Sequence, residues 1–256
     1  MIGRIWAVAF NTAREAVRNK LLYTLLFFAL AMMLFGAALS TLSYVERERV
    51  MQDFAFAAIR LFSVAIAVFV GVGLIHKEVD RKTVYTILSK PLSRAEFLIG
   101  KYTGLTLIIW LQVVVMAFFF AGVSLLIGAP LGITHLAALA LTAVELAIVV
   151  ALATLFSSFT TPLLASFFSC AIWLAGHLTR DLRDHGANSS SGLVREGTAW
   201  MHRILPDLES FNLSLEAAHQ LPIAASDIWL PALYGAGYMA IILAFATLIF
   251  ERRDFR

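Results

Sequence analysis

Ionisable side chains inside long apolar runs are the residues whose chemistry most needs explaining. Glu145 is the one charged residue between Leu136 and Gly176 and falls near the middle of an apolar stretch of helical length. There an ionised carboxylate costs several kcal/mol unless it faces a partner, a cavity or water. Arg60, near the start of an earlier apolar run, is a candidate partner, although a long basic side chain can equally snorkel to the interface. Arg60 and Glu145 are therefore candidates for a polar path or a subunit seam, and the competing reading is a structural pair or a neutral carboxylic acid. His135 and His177 sit at the ends of apolar runs, where an interfacial preference explains them better than metal ligation. Cys170 is the single cysteine, so no disulfide framework exists within one chain.

Catalytic constellations are thin. Ser157, Ser158, His185, His202 and His219 are framed by no G-x-S-x-G or H-E-x-x-H pattern. A nucleotide-binding loop of the form G-x-x-x-x-G-K-[ST] is also missing. Gly100-Lys101 is followed by Tyr102 and lacks the preceding glycine, so nothing here would cradle phosphates with backbone amides and a lysine. Of the 256 residues, 60% are hydrophobic and 14% charged, far from the roughly 25% charged residues of soluble domains. Lipid is the remaining solvent for so much apolar surface. The formal net charge of +3 gives little support to nucleic-acid binding.

The elements that must position these residues follow from hydropathy. The fold class is all-α, a polytopic membrane protein with six transmembrane helices at about 21–43, 54–75, 102–128, 135–157, 161–178 and 229–250. Gly128, Pro130 and Gly132 mark the turn after the third span, and Ser157, Ser158 and Pro162 mark a tight turn between the fourth and fifth. Residues 1–20 read as an amphipathic interface helix ahead of a retained anchor. Ile2, Ile5, Trp6, Ala9, Phe10, Ala13 and Val17 share one face, while Arg4, Asn11, Arg14 and Arg18 share the other. Of the twenty Lys and Arg, thirteen lie in the N-terminal segment, in 76–101 and in the C-terminal tail. Positive residues are retained on the cytoplasmic side, so both termini are expected there, as an even number of spans requires.

The segments 76–101 and 179–228 connect spans. In the first, Thr83 to Ser89 can form two helical turns before Pro91 stops them. Ser93 and Glu96 then have the spacing of a capping box that opens the third span. A helix, a proline stop and a capped helix make a rigid elbow. In the second, Leu193, Gly197, Trp200, Met201 and Ile204 recur at helical spacing as an apolar stripe suited to a membrane surface.

The run KEVDRKTVYTILSKPLSRAEFLIGKYTG resembles the cytoplasmic loop of ABC-2 type transporter permeases, in the branch described as involved in multicopper-enzyme maturation (NosY-like). ILPDLESFNL and YGAGYMAIILAFATLIFERRDF are similar to that branch's last outer segment and final span. The resemblance implies a six-span, type V exporter-like half-transporter in the bacterial inner membrane. Such a subunit pairs with a second permease copy, the same chain or a close paralogue. It is driven by cytoplasmic ATPase subunits, which bind ATP and Mg, so this chain is not itself an enzyme and carries no cofactor. The family's coupling positions fall here on Glu78, Arg81, Lys82, Thr83, Leu88 and Pro91. The N-terminal helix, with Arg4, Trp6, Arg14 and Arg18, would be the second contact with the ATPase. Despite the branch name no soft-ligand cluster of the kind Cu(I) prefers is present, since Met32 and Met33 are adjacent and Cys170 is alone. Export of an unidentified substrate is the leading expectation. The alternative is an ATPase-coupled membrane scaffold that assembles or regulates something without translocation. An ion-coupled carrier would need more intramembrane ionisable groups than one glutamate.

Overall fold

The computed structural model describes residues 2–42, 46–80, 93–187 and 192–252, and these are helical almost throughout, with no strand among them. A short N-terminal helix α1 (Ile2–Val17) precedes the long helices α2 (Lys20–Ser40), α3 (Arg47–Asp80), α4 (Arg94–Ile127), α5 (Ile133–Ser157) and α6 (Pro162–Ala187). Then come α7 (Gly192–Ile204), a 3-10 turn at Glu209–Phe211, the short α8 (Ser214–Ala218) and a final long helix α9 (Ser226–Arg252). Helices α2 to α6 and α9 are each long and apolar enough to cross a membrane, which makes this a multi-pass membrane protein.

Local signals set the helix ends. Asn19 caps α2 by accepting a hydrogen bond from the Leu21 amide at 3.0 Å. Ser93 opens α4 with the reciprocal capping box that its spacing predicts. Its hydroxyl accepts from the Glu96 amide at 3.1 Å, and its own amide donates to Glu96 Oε2 at 2.9 Å. Gly128 ends α4 in the left-handed region at φ 83°, where a Cβ would be strained. Helix α5 stops at Ser157, and Pro162, which needs no amide partner in a first turn, begins α6.

Three helices extend well beyond their apolar runs. Helix α3 begins at Arg47, α4 at Arg94, and α6 continues to Ala187. Hydropathy delimits the part of a helix that lipid surrounds, whereas the backbone stays helical until a breaker arrives. The segments RERVMQD and RDLRDH contain good helix formers and no Gly or Pro. At 34 residues, α3 and α4 are each about 51 Å long, against a hydrocarbon core of about 30 Å.

Helices α3 and α5 form the centre of the bundle, and α2, α6 and α9 flank it. The flanking helices leave Phe27, Phe28, Phe167, Trp229 and Phe245 exposed on their outer faces. Small residues permit close approach where lipid gives no hydrophobic drive between helices. Gly36 of α2 lies directly against Phe54 of α3. A Cβ at Gly235 of α9 would stand 2.8 Å from Val144 Cγ1 of α5.

Residues 205–218 do not form an exposed loop. Leu208, Phe211 and Ala217 are fully buried, so the segment Pro206–Ala218 is tucked among α3, α5 and α6. The Leu208 amide donates to the Gly176 carbonyl at 3.1 Å, and Arg180 Nε donates to Asp207 Oδ2 at 3.1 Å. Irregular backbone beside membrane helices is tolerated where protein buries it and supplies its hydrogen bonds. By contrast, α7 folds back along α6 with Leu193, Trp200, Met201 and Ile204 exposed, the apolar stripe that the spacing predicts.

Candidate functional site

Two clusters bring together the chain's intramembrane and interfacial charges. The first is a ring of five side chains from four elements: Arg60 of α3, Glu145 of α5, His177 of α6, and Glu209 and Asn212 of the inserted segment. Glu145 is completely buried. Its Oε1 accepts from Trp173 Nε1 at 2.8 Å and lies 2.9 Å from His177 Nε2. His177 Nδ1 lies 2.9 Å from Glu209 Oε2, and Asn212 Nδ2 donates to Glu209 Oε1 at 2.8 Å. Arg60 Nη2 donates to Asn212 Oδ1 at 2.7 Å and closes the ring. Its Nε is 3.4 Å from Glu145 Oε2, an ionic contact without hydrogen-bond geometry.

The chemistry of the ring is self-balancing. Both His177 contacts are satisfied when each ring nitrogen carries a proton, and His177 and Arg60 then offset the two carboxylates. Burial pushes the Glu209 carboxyl up, but the hydrogen bonds from His177 and Asn212 and the nearby positive charges outweigh it, leaving it below the usual carboxylate range. His177 separates Glu145 from Glu209 through opposite ring nitrogens, so the three groups do not converge on one point. Among the described residues no three His, Cys, Asp or Glu side chains gather as a metal site requires.

The structure therefore brings Arg60 and Glu145 together and gives them partners that the sequence did not disclose. His177 and Trp173 were findable in part, because they are polar and stand four apart on one face of an apolar helix. Glu209 and Asn212 lie within the segment ILPDLESFNL. Nothing in their spacing says that the segment folds inward.

The second cluster lies where α1 crosses the start of α4. Ala9, Thr12 and Ala16 of α1 are buried there. A Cβ at Gly100 would stand 2.7 Å from Val8 Cβ and 2.9 Å from the Ile5 carbonyl, and one at Gly104 would stand 2.8 Å from Thr12 Cβ. The four-residue interval between these glycines is the small-residue spacing that lets two helix backbones meet. The single apolar stripe read from the sequence is thus divided. Its small residue Ala9 packs on α4, while Ile2, Trp6, Phe10 and Val17 are exposed. Close contact selects residues without bulk, and periodicity alone does not separate small from large.

Charges fasten this crossing. Glu15 of α1 accepts from Lys77 Nζ of α3 at 2.7 Å and lies 3.9 Å from Lys101 Nζ of α4. Lys101 is buried, with its ammonium 5.8 Å from the centre of the Phe97 ring. Phe97 stacks on Phe250 of α9, and Arg94 Nη1 donates to the Glu251 carbonyl at 2.9 Å near the end of that helix. Arg4, Trp6 and Arg14 lie on exposed parts of α1, and Arg18 is exposed just beyond its end. Glu78 is on the last turn of α3, whereas Arg81, Lys82, Thr83, Leu88 and Pro91 lie outside the described residues.

Among curated proteins no relative matches the chain. A family model does: the one described as ABC-2 family transporter protein matches residues 6–255, which takes in all six long helices, the clamp of α1 on α4 and the inserted segment. Members of that family are membrane components of transporters and work with ATPase subunits. With nearly its whole length matched and six membrane-crossing helices in place, this chain belongs to the ABC-2 family of transporter membrane proteins.

Proposed function

We propose that the chain is the permease subunit of an ABC transporter in a bacterial inner membrane, with both termini cytoplasmic. It works as a dimer with a second copy or a close paralogue, and separate ATPase subunits that bind ATP and Mg supply the energy for export. The observation that carries this reading is the clamp around segment 81–92. Glu15 ties α1 to Lys77 at the end of α3 and to Lys101 near the start of α4, so the two helices flanking that segment are fastened to one another. A push delivered by an ATPase at Glu78, Arg81, Lys82, Thr83, Leu88 and Pro91 would then move α1, α3 and α4 as one unit rather than bend a loop.

Co-purification with an ATPase tests the class. Stimulation of that ATPase by the chain, lost on Leu88→Ala and Arg81→Ala, tests the coupling positions. An unchanged ATPase rate and intact transport in both variants would refute them. The scaffold reading has one observation in its favour: Glu145 Oε1 is held by Trp173 and His177 and Arg60 Nη2 by Asn212, all within one chain, which is what a structural pair requires. Conservative variants Arg60→Lys and Glu145→Gln separate the two readings. A path role predicts lost transport with assembly intact, and a scaffold is indifferent in transport.

A further inference from the structure

Between α1, α2 and the last turns of α3 lies a cleft of about 700 Å3. Arg14, Arg18, Lys20 and Lys77 line it with a single carboxylate, Glu15. That carboxylate is committed to Lys77 and Lys101. Arg14, Arg18 and Lys20 form no ion pair among the described residues. The cleft therefore has an unmet demand for an anion.

Its position and apolar lining narrow the choice. Lys20 opens α2, and the apolar run starts at Leu21, so the cleft straddles the depth at which water gives way to hydrocarbon. The apolar part of the lining is Leu21, Phe69 and Leu74, and Leu21 and Phe69 are about half exposed, at 52% and 50%. At Gly73 a Cβ would meet nothing within 4 Å, which leaves a groove running from the cations along the apolar wall. Two guanidinium forks and an ammonium suit a phosphate, and Leu21 and Phe69 suit a hydrocarbon chain. We infer that this cleft binds an anionic phospholipid, with its phosphate held by Arg14, Arg18 and Lys20 and an acyl chain lying past Gly73 against Phe69. A soluble anion would leave the apolar wall wet, and an acidic protein surface would have no use for it. The inference stands on the membrane-spanning fold and not on the transport reading.

The test uses the purified full chain in neutral detergent, titrated with phosphatidylglycerol or with phosphatidylcholine of the same acyl chains. Phosphatidylglycerol should raise the thermal unfolding midpoint and remain bound in native mass spectra, and phosphatidylcholine should do neither. The triple variant R14Q/R18Q/K20Q should weaken the phosphatidylglycerol response on the order of a hundredfold in concentration, since each basic residue near an anionic headgroup contributes roughly fivefold. Gly73→Leu keeps every charge and should weaken it by obstructing the groove, which decides the matter if the triple variant misfolds. The inference is overturned if Gly73→Leu responds like the parent. It is also overturned if inorganic phosphate alone reproduces the shift, which would mark an ion site. A triple variant that keeps the lipid response but no longer recovers an ATPase would overturn it in favour of protein docking.

Discussion

Replacing Glu145 tests the buried ring most directly. In Glu145→Ala, Trp173 Nε1 and His177 Nε2 lose their acceptor and Arg60 keeps only Asn212. Breaking a buried pair by removing one partner costs about 3–5 kcal/mol in soluble proteins. Hydrogen bonds between membrane helices average about 0.6 kcal/mol each, because the unfolded chain in the bilayer also finds partners. Two lost hydrogen bonds at that lower rate come to about 1 kcal/mol, so the expected loss lies between about 1 and 5 kcal/mol. Glu145→Gln retains an oxygen for the Trp173 indole and should sit near the lower bound. The assay is reversible unfolding of the purified chain in mixed micelles, titrated with SDS and followed by circular dichroism. Arg60→Met combined with Glu145→Leu should cost at least about 1 kcal/mol less than the sum of the single changes, since together they leave no unpaired charge between them. If Glu145→Gln unfolds within about 0.5 kcal/mol of the parent and the double change is additive, the ring is not a stabilising unit and the reasoning fails.

Other outcomes follow from the same geometry. Gly104→Val forces a side chain into Ala9 and Thr12 and should cost about 1–3 kcal/mol. It should also speed proteolysis at Arg14 and Arg18, whereas Gly237→Ala, which meets nothing within 4 Å, should leave the α1 cleavage rate unchanged. Phe211→Ala empties a fully buried position and should cost about 3–5 kcal/mol, with hydrogen exchange rising first in Pro206–Ala218. The folded Glu209 carboxyl titrates below its unfolded value of 4.5. Its contribution is therefore fully present above that value and is lost as pH falls through the folded one. The stability gap between the parent and Glu209→Gln should shrink below about pH 4.5. A gap that widens on acidification would reverse the sign of that account.

The capping box at Ser93 and Glu96, the left-handed stop at Gly128 and the turn into Pro162 were legible because each depends on neighbours within four residues. The apolar stripe of α7 was legible from spacing for the same reason. Arg60 was legible only as a candidate partner for Glu145. Residues 85 apart in sequence announce a shared environment when both are costly in lipid, but they do not announce a distance. His177 and Glu209 were assigned to interfaces and loops because single-residue hydropathy treats a polar residue near a run's end as wet. The exposure of Trp6 and Phe10 beside buried Ala9 was likewise hidden, since a hydrophobic stripe does not specify whether lipid or a helix covers it.

By itself, the sequence determined that the chain crosses a membrane by helices, that a capping box at Ser93 opens α4 and Gly128 closes it, and that no G-x-x-x-x-G-K-[ST] pattern accompanies them. Each of these depends on composition or short-range spacing, and the cost of bare backbone in hydrocarbon leaves helices as the economical answer for uncharged runs of this length. Only the tertiary structure decided that Pro206–Ala218 turns inward, that five side chains from four elements close into a ring around Glu145, and that Gly100 and Gly104 seat α1 on α4. These depend on contacts between residues tens to more than a hundred positions apart. What fixes them is the requirement that every buried charge and backbone amide find a partner in the same packed interior.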